Sequence, residues 1–213
     1  MFGRDIYPVL FYQDKFMSVF ILLLALIIWG FIHSLLASYY AKDIFRLAFG
    51  AGFWRMYRLV YNIFAVISFL PILNLMRTLP DQLLYEIPSP WNIAMYIGQV
   101  VALVLLLIAF LQTDSLSFVG LSQLFKEEKP GALVTRGLYR VVRHPLYTFS
   151  LLLIWLSPTV SQNSLTVYIG STFYVLVGIY FEEQKLLAEF GEAYAKYKKN
   201  IPMLIPGLIF NRK

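Results

Sequence analysis

The uncharged run Pro145–Phe181, PLYTFSLLLIWLSPTVSQNSLTVYIGSTFYVLVGIYF, decides the fold: 37 residues without Asp, Glu, Lys or Arg. About 20 apolar residues carry a helix across the hydrocarbon core of a bilayer, so this run is too long for one crossing. Its middle, Ser157-Pro158-Thr159-Val160-Ser161-Gln162-Asn163-Ser164, clusters turn formers and polar residues. The run therefore divides into two short helices, about 145–159 and 163–182, packed as a hairpin around a tight turn. Working outward, Phe16–Ala41, Leu59–Met76 and Ile87–Thr113 are also uncharged, and each supplies one crossing, placed at about 16–41, 57–76 and 90–112. The expectation is an all-α integral membrane protein. Five transmembrane helices and a cytoplasmic C-terminal helix in the tail 183–213 make residues 1–213 a single membrane domain. The first span is not read as a signal peptide, because its apolar run far exceeds the usual core and no small-residue cleavage pattern follows.

Composition agrees. Hydrophobic residues are 59% of the chain, aromatics 17% and charged residues 14%, against about a quarter charged in soluble domains. Mean hydropathy is +0.67. The aromatic content excludes disorder. There is no cysteine, which removes disulfides, thiolate metal sites, iron–sulfur clusters and cysteine nucleophiles, and no metal site is expected. No internal repeat or low-complexity tract is visible.

Lysine and arginine orient the spans. Fifteen of the eighteen fall in the loop between spans 1 and 2 (Lys42, Arg46, Arg55, Arg58), the loop between spans 3 and 4 (Lys126, Lys129, Arg136, Arg140, Arg143) and the tail (Lys185, Lys196, Lys198, Lys199, Arg212, Lys213). Only Arg4, Lys15 and Arg77 lie on the other side. The N-terminus is expected outside, with both long loops and the tail in the cytoplasm. The net charge of +6 needs no nucleic-acid partner, since anionic headgroups attract such loops.

The polar mass that could do chemistry lies at the mouth of span 4 and in the tail. Pro145 suits the first turn of a helix, which puts Arg143 and His144 beside free backbone N–H groups, a place for a carboxylate or phosphate. Tyr147 shares their face. Glu183, Leu187, Phe190, Tyr194 and Tyr197 step by four and three residues and form one helical stripe, with Glu182 beside it. A carboxylate on an apolar stripe needs a partner, and Arg143, Arg140 or Arg136 could supply a structural salt bridge. Glu192 and Lys196 are spaced to pair. His33 is the one ionisable residue well inside a span, among the small residues Gly30, Ser34, Ala37 and Ser38. It reads equally as a substrate contact or as a hydrogen bond between helices. Asn62 has the same two readings.

The series Gly131-Ala132-Leu133-Val134, Gly137-Leu138-Tyr139, Arg143-His144-Pro145-Leu146-Tyr147, Glu182-Glu183, Leu186, Phe190-Gly191-Glu192-Ala193-Tyr194, Tyr197 and Pro202 resembles the membrane methyltransferases. These are the isoprenylcysteine carboxyl methyltransferases and phospholipid N-methyltransferases. The resemblance runs from about Pro130 to Pro206. His33-Ser34-Leu35-Leu36-Ala37-Ser38 and Ile201-Pro202-Met203-Leu204-Ile205-Pro206 are similar to the bacterial branch of methanethiol S-methyltransferases and NnrU-like proteins.

The resemblance implies S-adenosyl-L-methionine as cofactor and a small or membrane-delivered methyl acceptor, a thiol such as methanethiol being favoured, in a bacterial inner membrane. By the same resemblance His144 and Tyr147 hold the amino-acid portion, and Glu183 with Glu182 accepts from ammonium or ribose. The backbone at Leu133 and Val134 frames the adenine, and Tyr139 completes the binding set. Arg143 would stabilise a thiolate, His33 would take its proton, and Glu183 joins them as the third catalytic candidate. Isoprenylcysteine carboxyl or phospholipid N-methylation are the alternative reactions. A non-enzymatic NnrU-like scaffold and a b-type haem held by His33 and His144 are the rivals from other classes. A transporter is disfavoured, since no uncharged span carries an embedded Asp, Glu, Lys or Arg.

Overall fold

A computed structural model of the chain describes the backbone of residues 6–115, 119–121 and 132–208. Side chains are described within these from Lys15 onward, apart from 51–55. Arg4, Lys126, Lys129, Pro130, Gly131, Arg212 and Lys213 lie outside the described residues, as does the side chain of Arg55. The chain divides into two units, Met1–Pro88 with Pro158–Ser171, and Ser89–Ser157 with Thr172–Lys213.

The first unit holds helices α1 (Ile6–Ala37) and α2 (Tyr39–Thr78), strands β1 (Leu83–Glu86) and β2 (Thr159–Ser161), and the start of α5 (Gln162–Asn200). Span 1 was expected to reach Ala41. Ser38 ends it sooner, because its hydroxyl donates to Leu35 O at 2.6 Å and accepts from Ala41 N–H at 3.2 Å, capping α2. The expected loop before span 2 is itself helical. It bends at Gly50, whose φ of +74° is cheap only without a Cβ. The apolar crossing occupies Met56–Thr78. Leu22, Ile72 and Val167 form the buried core here, with Trp29 and Phe69 against it. Gly170 lets Leu26 seat closely, since a Cβ there would lie 2.6 Å from Leu26 Cδ1.

The chain is mostly helical but not wholly α. The expected tight turn between spans 4 and 5 is instead the extended strand β2, antiparallel to β1 with Leu83 opposite Ser161 and Glu86 opposite Thr159. Asn163 anchors this corner. Fully buried, its side-chain amide donates to the carbonyls of Met76, Leu79 and Pro80 at 3.4, 3.2 and 3.3 Å, closing the C-terminal carbonyls that a helix leaves without partners.

The second unit holds α3 (Trp91–Gln112), a 3₁₀ turn at Gly137–Arg140, α4 (Pro145–Trp155) and the rest of α5. Helices α3 and α4 pack together. Gln99 Nε2 donates to Leu153 O at 2.9 Å, and a Cβ on Gly98 would lie 2.9 Å from Leu156 Cδ1. Helix α5 does not stop at the Glu182-Glu183 pair. It runs on to Phe190, and non-helical backbone at Gly191, φ +53°, divides it from a last helical segment that begins later than Glu183.

Large apolar side chains point outward along these helices. Phe31 is 69% exposed and Leu111 72%, while Ala102 and Ala109 are fully buried. Water does not tolerate such faces, and lipid does. Among the described residues, four helical stretches are long and apolar enough to cross a bilayer: Lys15–Ala37, Met56–Thr78, Trp91–Gln112 and α5. Helix α4 has 11 residues, a rise of about 16 Å against a core of about 30 Å. The protein is a multi-pass membrane protein.

Candidate functional site

The site, all of it in the second unit, is built on the start of α4. His144 caps the helix and Pro145 opens it. The N–H groups of Arg143 and His144 themselves are taken by the tail. Arg143 N–H donates to Pro202 O at 2.8 Å and His144 N–H to Met203 O at 3.2 Å, and Thr148 Oγ1 donates to Leu204 O at 2.9 Å. The tail after α5 is strapped across the mouth of α4.

Beneath the strap lies an ion cluster. Arg143 Nη2 is 2.7 Å from Glu183 Oε1 and Lys198 Nζ is 2.7 Å from Glu183 Oε2. Arg143 Nη1 donates to Lys198 O and Ile201 O at 2.6 and 2.8 Å. Of the three arginines weighed as partners for Glu183, Arg143 takes the role. Burial pushes the Glu183 carboxyl up, but the His144 hydrogen bond at 3.3 Å, Lys198 and Arg143 outweigh it and hold the group down at about 2. Burial likewise raises the Tyr197 phenol to about 12 against the pull of Arg143. It also raises Tyr139 and Tyr194, which nearby carboxylates push further. All three phenols are neutral. Arg143 and Glu183 thus hold the wall together. Both Glu183 oxygens and both terminal Arg143 nitrogens are engaged within the protein.

Above the cluster opens a cavity of about 460 Å³, within the range of small-molecule sites. Leu133 and Val134 line it from the loop, Tyr139 from the 3₁₀ turn, His144 and Tyr147 from α4, and Glu182 from α5. Arg143 also reaches the wall, whereas Glu183 stands behind it. Of the stripe drawn from the sequence, Phe190, Tyr194 and Tyr197 line the cavity, Glu183 is buried behind its wall, and Leu187 departs. Leu187 is 40% exposed, and Glu182, Leu186 and Phe190 face the cavity at steps of four. Tyr194 and Tyr197 continue the row beyond Gly191. Sequence reading missed Leu106, Thr113, Leu146 and Ser150. The four-residue spacing of Leu146 and Ser150 on the Arg143–Tyr147 helix was the available signal.

Three buried polar atoms around the cavity make no hydrogen bond of ordinary length: Arg143 Nε, Glu182 Oε2 and the Tyr194 hydroxyl. Glu182 Oε2 lies 3.8 Å from His144 Nδ1. Buried groups of this kind are nearly always satisfied, so together they mark a place for a polar ligand. The pairing proposed for Glu192 and Lys196 is not formed among the described residues.

His33 belongs to the first unit. Tyr61 OH lies 2.8 Å from its Nε2 and 3.2 Å from its Nδ1, and Trp29 stacks on its ring at 4.8 Å. Asn62 is described in the same unit and adds nothing to the cavity.

Residues 93–193 match the phospholipid methyltransferase family, and this stretch carries nearly every cavity residue. Over these residues the chain is similar to the phospholipid methyltransferases. Methanethiol S-methyltransferase 2 of Bradyrhizobium diazoefficiens is 38% identical over 115 residues, 50% of this chain and 44% of that one. Methanethiol S-methyltransferase of Pseudomonas deceptionensis is 35% identical over 109 residues, 49% and 42% of the two chains. Methanethiol S-methyltransferase 1 of Bradyrhizobium diazoefficiens is 31% identical over 156 residues, 70% and 54%. The chain spans about half the length of the curated relatives it matches. No solved structure matches it.

Proposed function

We propose that the chain is a membrane methyltransferase that binds S-adenosyl-L-methionine in the cavity and S-methylates a small thiol such as methanethiol. The observation that carries the reading is the set of unsatisfied buried polar atoms, Glu182 Oε2, Arg143 Nε and Tyr194 OH, around a cavity of mixed character. A zwitterionic amino acid joined to a ribose and an adenine suits it. When bound, the cofactor supplies a methyl group on a sulfonium.

Glu182 accepts hydrogen bonds from an ammonium or a ribose hydroxyl, and His144 and Tyr147 hold the amino-acid end. The backbone at Leu133 and Val134 frames the base, and Tyr139 closes the wall. Glu183 serves that binding set through Arg143 and His144, which it holds in place. Methyl transfer is an in-line displacement in which the acceptor sulfur gains the carbon as the sulfonium releases it, so the chain's contribution is positioning and exclusion of water. His33 is the proposed acceptor of the thiol proton. Its test is the pH–rate profile of His33→Asn, which should lose the limb assigned to a base.

The proposed topology has five crossings, the short α4 with its flanks making the fourth, in one membrane domain. The N-terminus lies outside, and the tail and cavity face the cytoplasm of a bacterial inner membrane. The fifteen basic residues grouped on one side support this. Haem ligation is disfavoured, since the His144 nitrogens face Glu183 and Glu182 and those of His33 face Tyr61.

The test is an acceptor screen with methyl-labelled cofactor and purified protein, using methanethiol, a prenylcysteine carboxylate and phosphatidylethanolamine. Labelled dimethyl sulfide is the expected product. Label on a carboxylate or amine instead would move the chain to the isoprenylcysteine or phospholipid branch. No transfer to any acceptor would favour a non-enzymatic scaffold.

A further inference from the structure

The 3₁₀ turn Gly137–Arg140 presents Tyr139 to the cavity, yet four residues make a weak element on their own. Two side chains from elsewhere grip it. Gln112, the last residue of α3, accepts the Leu138 N–H on its Oε1 at 2.8 Å. On the other side Tyr197 donates its hydroxyl to Tyr139 O at 2.6 Å. Gln112 is itself well placed, because the end of α3 is closed by Thr113 Oγ1 and Ser115 Oγ, both donating to Phe110 O at 2.7 Å. Gly137 completes the fit. Its φ is +61°, and a Cβ there would fall on the Gln112 amide group. The turn therefore has no room for a side chain where Gln112 enters.

We infer that Gln112 is a positioning residue for the cavity: it fixes the 137–140 turn, and through it Tyr139, in the orientation that ligand binding uses. The inference rests on the reading of the cavity as a cofactor site. Gln112 does not line the cavity, so its effect on a ligand passes through the turn.

The experiment compares wild type with Gln112→Met, which keeps length but removes the acceptor, Gln112→Glu, which keeps an oxygen acceptor, and Gly137→Ala, which displaces the amide from the opposite side. Two readouts are taken on the full chain in mild detergent: hydrogen–deuterium exchange of the peptide containing Leu138, and calorimetric affinity for S-adenosylhomocysteine. Gln112→Met and Gly137→Ala should lose protection at the turn and bind about five- to tenfold more weakly, the scale of one lost hydrogen bond. Melting temperature should stay near that of wild type, and Gln112→Glu should retain both readouts. Unchanged exchange in Gln112→Met, or weaker exchange protection with unchanged affinity, would overturn the inference. If wild type itself binds no S-adenosylhomocysteine, the cofactor reading fails first and takes the inference with it. Exchange alone would still show whether Gln112 holds the turn.

Discussion

Glu182 and Glu183 are neighbours on one helix with opposite duties. Glu183 is 7% exposed and sits between Arg143, His144 and Lys198, while Glu182 offers an unsatisfied oxygen at the cavity. Glu183→Gln leaves a buried guanidinium without its carboxylate, which costs about 3 kcal/mol. Thermal unfolding in detergent should show a large drop in melting temperature. Glu182→Gln should melt like wild type and lose cofactor affinity instead. Protons give the same answer another way. Glu183 is held at about 2 from an ordinary 4.5, so the folded state binds its proton less readily than the unfolded chain. Its contribution is present in full above about pH 4.5 and disappears as pH falls towards 2. Stability measured across that window should fall in wild type and fall less in Glu183→Gln. At this scale much was legible. The residues from Leu133 to Tyr147 are close in sequence, and Glu182 and Glu183 stand out as acids ending an apolar run. Leu106 was not legible, because a leucine facing a cavity and one facing lipid look the same in a membrane helix.

Among the elements, α5 carries most of the surprise. Its charges mark the end of the apolar zone but not the end of the helix, so the sequence reading set the break too early. The true interruption is Gly191, φ +53°, and Tyr194 and Tyr197 line the cavity from the segment beyond it. Gly191→Ala has open space around its Cβ but places an L side chain in the left-handed region, a cost of about 1–3 kcal/mol. Relief of that strain should rotate the tail. Affinity for S-adenosylhomocysteine is expected to fall, and calorimetry of the variant checks it. The ribbon of Leu83–Glu86 with Thr159–Ser161 was invisible for another reason. Its strands are short and remote in sequence, and pairing of that kind leaves no local periodicity.

Over the whole molecule, hydropathy made the four longest apolar helices legible, because a span must satisfy its backbone internally and cover itself in apolar side chains. The 11-residue α4 falls outside that rule, and the five-crossing topology rests on the charge asymmetry instead. The chain has no cysteine, so Thr135→Cys creates a single label site beside the cavity. It should react with an impermeant maleimide only from the cytoplasmic side of oriented membranes.

The most direct test of the central claim is calorimetric titration of the purified protein with S-adenosylhomocysteine, beside Glu182→Gln and His144→Ala. The account predicts saturable one-site binding by wild type, weakened about tenfold or more when either side chain is changed. A well-folded wild type that binds nothing, or variants that bind as tightly as wild type, would contradict it.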